Sequence, residues 1–308
     1  MFGSVEALLS AAQEKPLWRA VLEDDCQDRD ANPDASLARM GRLWQAMKQS
    51  VQEYDPARRS ASGLSGGQGA RMEGYSNPIC GPFIQEVAAT ALKLGEHNAC
   101  MGRIVAAPTA GACGVLPAVL IPFQRKEGLS DETIVECLYV SAGFGQVIAA
   151  RASISGAEGG CQAEVGSASG MAAAALVHAR GGTPEQMTAA CGMALQNLMG
   201  LVCDPVAGLV EVPCVKRNVI GAVNAIAAAD MALAGIESRI PVDEVIDAMG
   251  EVGRRLPVEF RETALGGLAV TPTGRAVKER MASGGRKRRT LTIKDARWKL
   301  EKPEETDA

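Results

Sequence analysis

Apolar residues recur every three or four positions along most of this chain, and alternation with a period of two is scarce. In the first sixty residues the pattern predicts two amphipathic helices around a polar break, Glu23-Asp24-Asp25-Cys26-Gln27-Asp28-Arg29-Asp30, followed by Asn32-Pro33-Asp34. Leu37, Met40, Leu43, Trp44 and Met47 mark the apolar face of the second helix, with Ser36 as its expected N-cap. Residues 61–82 read as glycine-rich loops. The next helix carries Ile84, Val87, Ala88, Ala91 and Leu92 on one face and is expected to stop at Gly95. Ala107-Pro108-Thr109-Ala110-Gly111-Ala112-Cys113-Gly114 then turns through glycine into an apolar run that reaches Phe123. Further helices are predicted at 131–150, 165–180, 184–199, 218–236 and 242–256. The predicted fold class is therefore mainly α. A single globular helical domain spans 1–282, with 1–60 as peripheral helices and 61–282 as the core. Residues 283–308, with Arg286-Lys287-Arg288-Arg289, form a basic tail predicted to be flexible.

Composition sharpens the picture of the core. The chain is 47% apolar but only 4% aromatic, and it holds 34 glycines, so its helices must pack closely through Ala, Val, Leu, Ile and Met. A net charge of -4 argues against a nucleic-acid partner. Nine irregularly spaced cysteines fit reduced thiols better than a disulfide framework, which predicts a cytoplasmic protein. The first residues show no basic segment leading into an apolar one, so no signal peptide is expected. No membrane span is expected either. Cys137–Ala150 ends at Arg151, short of the roughly 20 residues a span needs. Val219–Ile236 contains Asn224 and Asp230, and a charge near mid-bilayer is costly.

Two groups of residues could carry chemistry. Neither Ser65-Gly66-Gly67 nor Gly143-Phe144-Gly145 completes a nucleotide-binding pattern. Such turns can still present backbone N–H groups to a small carboxylate, as can Pro108–Gly114 with Thr109; tight packing turns account for these residues equally well. The candidate substrate-binding residues are Ser65, Gly66, Gly67, Asn98, Thr109, Ala110 and Gly111.

The cysteines divide. Cys100, Cys113, Cys137 and Cys191 sit among small apolar residues and read as core fillers. Cys26 lies in an acidic stretch that would keep its thiol protonated, and Cys80 has no companion at ligand spacing. Cys161, Cys203 and Cys214 stand beside glycine or proline, where the backbone can bend close to something bulky. Three thiolates aimed at one point could hold a soft metal centre and leave one position open. No Cys-x-x-Cys occurs, and by spacing alone three unrelated structural thiols are slightly favoured. A zinc site made from the trio and His178 is a further reading.

Longer segments bear on that choice. Glu158-Gly-Gly-Cys161-Gln-Ala-Glu-Val-Gly166 and Cys203-Asp-Pro-Val-Ala-Gly-Leu-Val-Glu-Val-Pro-Cys214 resemble the signature segments of the iron–sulfur-dependent L-serine dehydratase (L-serine ammonia-lyase) α chain. Ser62-Gly-Leu-Ser-Gly-Gly67, Met101-Gly-Arg-Ile-Val-Ala-Ala-Pro-Thr-Ala-Gly111, Thr263-Ala-Leu-Gly-Gly-Leu-Ala-Val270 and Pro272-Thr-Gly274 extend the resemblance over about residues 60–275. It implies that Cys161, Cys203 and Cys214 hold three irons of a [4Fe-4S] cluster, the fourth iron being catalytic. L-serine would be dehydrated to aminoacrylate, giving pyruvate and ammonia without pyridoxal phosphate. The family's histidine-bearing loop belongs to its β domain and is absent here. The resemblance therefore implies a β-chain partner that completes the site and supplies the base, in a hetero- or homo-oligomer. His97 could border the pocket, and His178 reads as structural. Fused members of the family can end in a cysteine that covers the open iron; no cysteine follows Cys214 here, so autoinhibition by that route is not expected. The alternatives are an L-cysteine desulfidase or related β-eliminating lyase on the same scaffold, or a non-catalytic subunit with structural cysteines.

Overall fold

Ser4 opens the first helix by accepting a hydrogen bond from the Ala7 N–H at 3.0 Å. In the computed structural model, which describes residues 1–284, helices α1 (Val5–Ala11), α2 (Leu17–Arg29) and α3 (Pro33–Gln52) make up the first part of the chain. The expected polar break is helix. Glu23 to Arg29 form the second half of α2, whose acidic side chains lie on its more exposed face. The chain stops only at Asp30, in the left-handed region at φ 50. Asn32, not Ser36, caps α3: its side chain accepts from the Ala35 N–H at 2.8 Å, with Pro33 in the first turn. Ser36 is instead buried, bonded to Asp25 at 2.5 Å and Tyr139 at 2.6 Å. This layer is not merely peripheral, because Leu8 and Trp44 are fully buried in the same core as the later helices.

The remaining helices are α4 (Gln68–Glu73), α5 (Gly81–Ala99), α6 (Val115–Glu127), α7 (Asp131–Arg151), α8 (Gly156–Gly159), α9 (Ser167–Ala179), α10 (Pro184–Leu198), α11 (Cys214–Leu233), α12 (Val242–Arg255) and α13 (Pro272–Gly284). A π-helical turn, Gln162–Gly166, leads into α9. The structure is 68% helical and, among the described residues, contains no strand. The mainly α expectation holds. Residues 285–308, most of the predicted tail, lie outside the described residues, and Ser283 and Gly284 belong to α13.

Helix α9 is the hub. Every residue from Ser167 to Val177 is buried, and α6, α7, α10 and α11 all pack on it. Its alanines and the neighbouring glycines make this possible by bringing backbones close. A Cβ on Gly170 would lie 3.0 Å from Cys191 Sγ, and one on Gly145 2.9 Å from Met171 Sδ. Gly95 serves the same purpose rather than stopping a helix: α5 continues to Ala99, and Val215 packs where the Gly95 side chain would be. Helix α11 begins earlier than the expected 218, so that Cys214 is its first residue. By length and composition α7 could cross a membrane, but 61% of its apolar window is buried inside the protein.

Candidate active site around three buried thiols

Four connections converge near the N-terminal ends of α6, α11 and the π-helical turn, and together they build the site. Gly160 sets the first, at φ 76 and ψ -176, a conformation open essentially to glycine. A Cβ there would lie 2.7 Å from Leu256 Cδ1 and 3.1 Å from the Leu201 carbonyl. Cys161 follows, 2% exposed. Gln162, fully buried, then ties this turn to the approach to Cys203. Its N–H donates to the Leu201 carbonyl at 2.9 Å, its Oε1 accepts from the Gly200 N–H at 2.8 Å, and its Nε2 donates to the Met249 carbonyl at 3.1 Å.

Cys203, also 2% exposed, is held from the other side by a short bridge to Arg261. Its N–H donates to the Phe260 carbonyl at 2.8 Å, and its carbonyl accepts from the Glu262 N–H at 2.9 Å. The next residue, Asp204, is buried and accepts from Arg217 Nη2 and from the Leu268 N–H, each at 2.8 Å. Arg217 Nη1 donates to the Val202 carbonyl at 2.7 Å, and the charge of the same guanidinium favours the thiolate form of Cys161. One cation thus links two of the cysteine turns.

Cys214 follows the cis Val212–Pro213 peptide. Its carbonyl accepts from Asn218 Nδ2 at 2.9 Å, and that nitrogen also donates to the Gly111 carbonyl at 2.8 Å. Asn218 Oδ1 accepts from the Gly114 N–H at 2.8 Å, so one side chain fastens the Thr109–Gly114 turn to the Cys214 helix. Just before Cys214, buried Glu211 accepts from Ser60 Oγ at 2.6 Å and Ser62 Oγ at 2.7 Å, drawing in the 60–67 loop. Among the described residues, four of the six non-glycine positions at positive φ lie in these connections: Met101, Ala207, Glu262 and Ala264. Such strain gathers where surrounding contacts over-determine a geometry.

The three thiols share one electrostatic environment. Burial pushes Cys161 up to about 11, with Arg217 opposing the rise. Burial pushes Cys214 up to about 12 and Cys203 higher still, and each is raised further by a neighbouring thiol of the trio. Glu164 adds to the rise at all three. Four groups able to become anions therefore sit together with Arg217 as their near cation. Their thiolate forms need further positive charge, which a metal–sulfur core would bring. Among the described residues, no group of three His, Cys, Asp or Glu side chains converges on the position of a single metal ion. The zinc reading loses support accordingly, and His178 pairs instead with Glu136 at 3.3 Å. A cluster, being several atoms across, does not require its thiolates to meet at one point.

Glu164 is the residue that sequence reasoning missed. It stands on the π-helical turn, accepts from Thr109 Oγ1 at 2.6 Å and is raised by burial, with Glu262 adding to the rise. Gly111 and Gly156 make room for it: added Cβ atoms would lie 3.0 Å from Oε1 and 2.7 Å from Oε2 respectively. The available signal was an acid set among small and apolar residues within a motif, and the same signal marks Asp204 and Glu211.

The candidate substrate residues separate into two loops. Thr109 touches Glu164, while Asn98 Nδ2 donates to the Ala110 carbonyl at 3.0 Å and so shapes the turn. Among the described residues, the Ala110 and Gly111 N–H groups donate no hydrogen bond. The other loop cradles an anion already, and that anion belongs to the protein. Glu96, fully buried, accepts from the N–H groups of Gly66 at 2.8 Å, Gln68 at 3.0 Å and Gly69 at 3.1 Å, and from Tyr54 Oη at 2.7 Å. The Gly66 N–H is therefore spent on Glu96. Gly67 starts α4 at φ 78, and the Ser65 hydroxyl is buried without a partner. His97 packs under Gly102, with Nε2 buried and unpartnered and its basicity lowered by burial.

Similarity to known proteins covers this whole assembly. The serine dehydratase alpha chain family model matches residues 12–269. The probable L-serine dehydratase alpha chain of Bacillus subtilis (strain 168) is 46% identical over 289 residues, 92% of this chain and 96% of that protein. The corresponding chain of Latilactobacillus sakei is 58% identical over 196 residues, covering 64% and 94%. The L-serine dehydratase alpha chain of Peptoniphilus asaccharolyticus is 52% identical over 200 residues, covering 65% and 68%. Because the match begins at residue 12, helices α2 and α3 belong to the family's domain along with the cysteine-bearing core. This chain is a member of the serine dehydratase alpha chain family.

Proposed function

We propose that this chain is the metal-bearing subunit of an iron–sulfur-dependent L-serine ammonia-lyase. L-serine would lose water across Cα–Cβ to give aminoacrylate, which tautomerises and hydrolyses to pyruvate and ammonia. The observation that carries the reading is the shared burial of Cys161, Cys203 and Cys214 against Glu164 and Arg217, in a chain of this family. The three cysteines would hold a [4Fe-4S] cluster. When bound, that cluster supplies a Lewis-acidic iron without a protein thiolate, which helps the β-hydroxyl depart.

The chain's own residues are assigned the remaining tasks. Ala110 and Gly111 offer free N–H groups to the serine carboxylate, and Asn98 and Asn218 hold that turn in place. Thr109 orients Glu164 through Oε1, leaving Oε2 to hold a proton beside the thiols. Arg217 offsets thiolate charge at Cys161. The Ser65–Gly67 loop is assigned an indirect part, since it is held in place by Glu96 and by Ser60 and Ser62 bonding Glu211.

The base that removes the α-proton is assigned to a β chain. His178 is committed to Glu136 and His97 is packed under Gly102, so neither histidine of this chain is free for that work. These relatives are named as alpha chains, which supports a second subunit. Nine unpaired thiols support residence in the reducing cytoplasm.

The test is anaerobic purification with and without a β chain, measuring iron, sulfide and pyruvate from L-serine, with L-cysteine as a second substrate. About four irons per chain and pyruvate from L-serine are expected. Full activity of a colourless protein given pyridoxal phosphate would overturn the proposal, and sulfide release from L-cysteine alone would replace serine as the substrate.

A further inference from the structure

Behind the Cys161 turn lies a cavity of about 340 Å³ between α8, the end of α12 and the segment around Arg261. This volume falls within the roughly 300–1,000 Å³ of small-molecule sites. Ser153, Glu158, Gly159, Arg254 and Arg261 are among its lining residues. Two of them are arginines, and among the described residues neither guanidinium forms an ion pair or donates a hydrogen bond within the protein. Arg261 Nε is buried without any partner. A buried donor left unpaired costs about 1–3 kcal/mol, more for a charged group, and calls for a water or an ion to satisfy it.

The one carboxylate in the lining is already engaged: Glu158 Oε2 accepts from Ser153 Oγ at 2.7 Å. Gly250, at the floor, has no side chain to obstruct Arg254, whose Nη1 lies 3.3 Å from where a Cβ would stand. Two guanidiniums against one carboxylate leave the cavity with a net positive charge that one monoanion would balance.

We infer that this cavity is a binding site for a small monocarboxylate anion, held by Arg254 and Arg261. The inference rests on charge, volume and the unpaired guanidinium, and it does not depend on the lyase reading. Its place in the fold gives it reach. Gly159 is two residues before Cys161, and the Arg261 backbone is bridged to Cys203, so an anion held there lies against a neighbour of each turn.

The test uses pyruvate as the probe, titrated into the full chain with its cofactor loaded anaerobically and followed by calorimetry. Saturable binding of one pyruvate per chain is expected, weakened about tenfold or more in Arg254→Gln and in Arg261→Gln. Arg239→Gln, which removes an exposed arginine paired with Glu237 outside the cavity, should leave binding unchanged. Zwitterionic L-serine, with no net charge, should compete about tenfold less well. The absence of saturable binding, or binding that survives Arg254→Gln, overturns the inference. Arg254 lies on the exposed end of α12, so this variant decides the question even where Arg261→Gln does not fold. Pyruvate held at the thiol site instead would be lost in Cys203→Ala and retained in Arg254→Gln, which also overturns it.

Discussion

Arg217 meets Asp204 at 2.8 Å with both side chains nearly shut off from water, 12% and 4% exposed. The pair is a structural joint as much as a charge pair, because Asp204 follows Cys203 directly and Arg217 also holds the Val202 carbonyl on the other side of it. Replacing Arg217 with Met should leave a buried carboxylate unpaired and cost about 3–5 kcal/mol. Urea denaturation of Arg217→Met beside the Arg217→Met/Asp204→Asn double variant checks this. The double variant should regain part of the loss, and equal stabilities in the two would rule out the joint.

Cys203 and Cys191 are both buried but differ in their surroundings. Cys191 packs against Gly170 in the helical core, and Cys191→Ala should cost about 1 kcal/mol while leaving iron content unchanged. Cys203→Ala should abolish iron retention in anaerobically prepared protein. Retention of iron in Cys203→Ala would remove this residue from the ligand set.

Glu164→Gln preserves shape and removes a titratable proton. Pyruvate formation should fall by about 10²–10⁴-fold with iron content intact, the usual range for a lost proton-transfer group. Burial raises the Glu164 carboxyl. If its protonated form is required, wild-type activity declines as pH climbs through that raised value. The variant should lack that limb, and a loss of less than about threefold would deny Glu164 the role.

Tyr54 gives a pH-dependent stability. Burial and then its bond to Glu96 push the phenol up to about 12 from an ordinary value near 10. The folded state therefore holds this proton more tightly than the unfolded chain. Its contribution is complete below pH 10 and disappears as pH rises towards 12. Thermal melts across that window should fall less steeply for Tyr54→Phe than for the wild type. Parallel profiles would exclude the linkage.

Long periodic segments were legible in the sequence. Helices α7, α10 and α12 lie within a residue of expectation, because a serine or threonine cap or a proline stands at each start. The acidic run Glu23 to Asp30 was misread because a solvent-facing half-helix has the composition of a loop. Gly95 was misread because glycine's value there is closeness to Val215, which depends on a helix more than a hundred residues away. The candidate site was legible as motifs and not as a mechanism. The motif containing Cys161 also carries Glu164, yet only the fold brings Thr109, Gly111 and Gly156 around that acid. In the same way, the glycine loop at 65–67 advertises an anion site, and only the fold reveals Glu96 as its occupant.

The bridge between Cys203 and Arg261, with Leu268 donating to Asp204, also sets an order of events during synthesis. A nascent chain that has just passed Cys214 owns all three thiols but lacks the clasp that fixes the middle one. The cradle closes only when the stretch through Leu268 has left the ribosome. On the proposed reading, metal delivery would be deferred until synthesis has passed Leu268. A version truncated after residue 256 should accordingly emerge with its cysteines present and no iron.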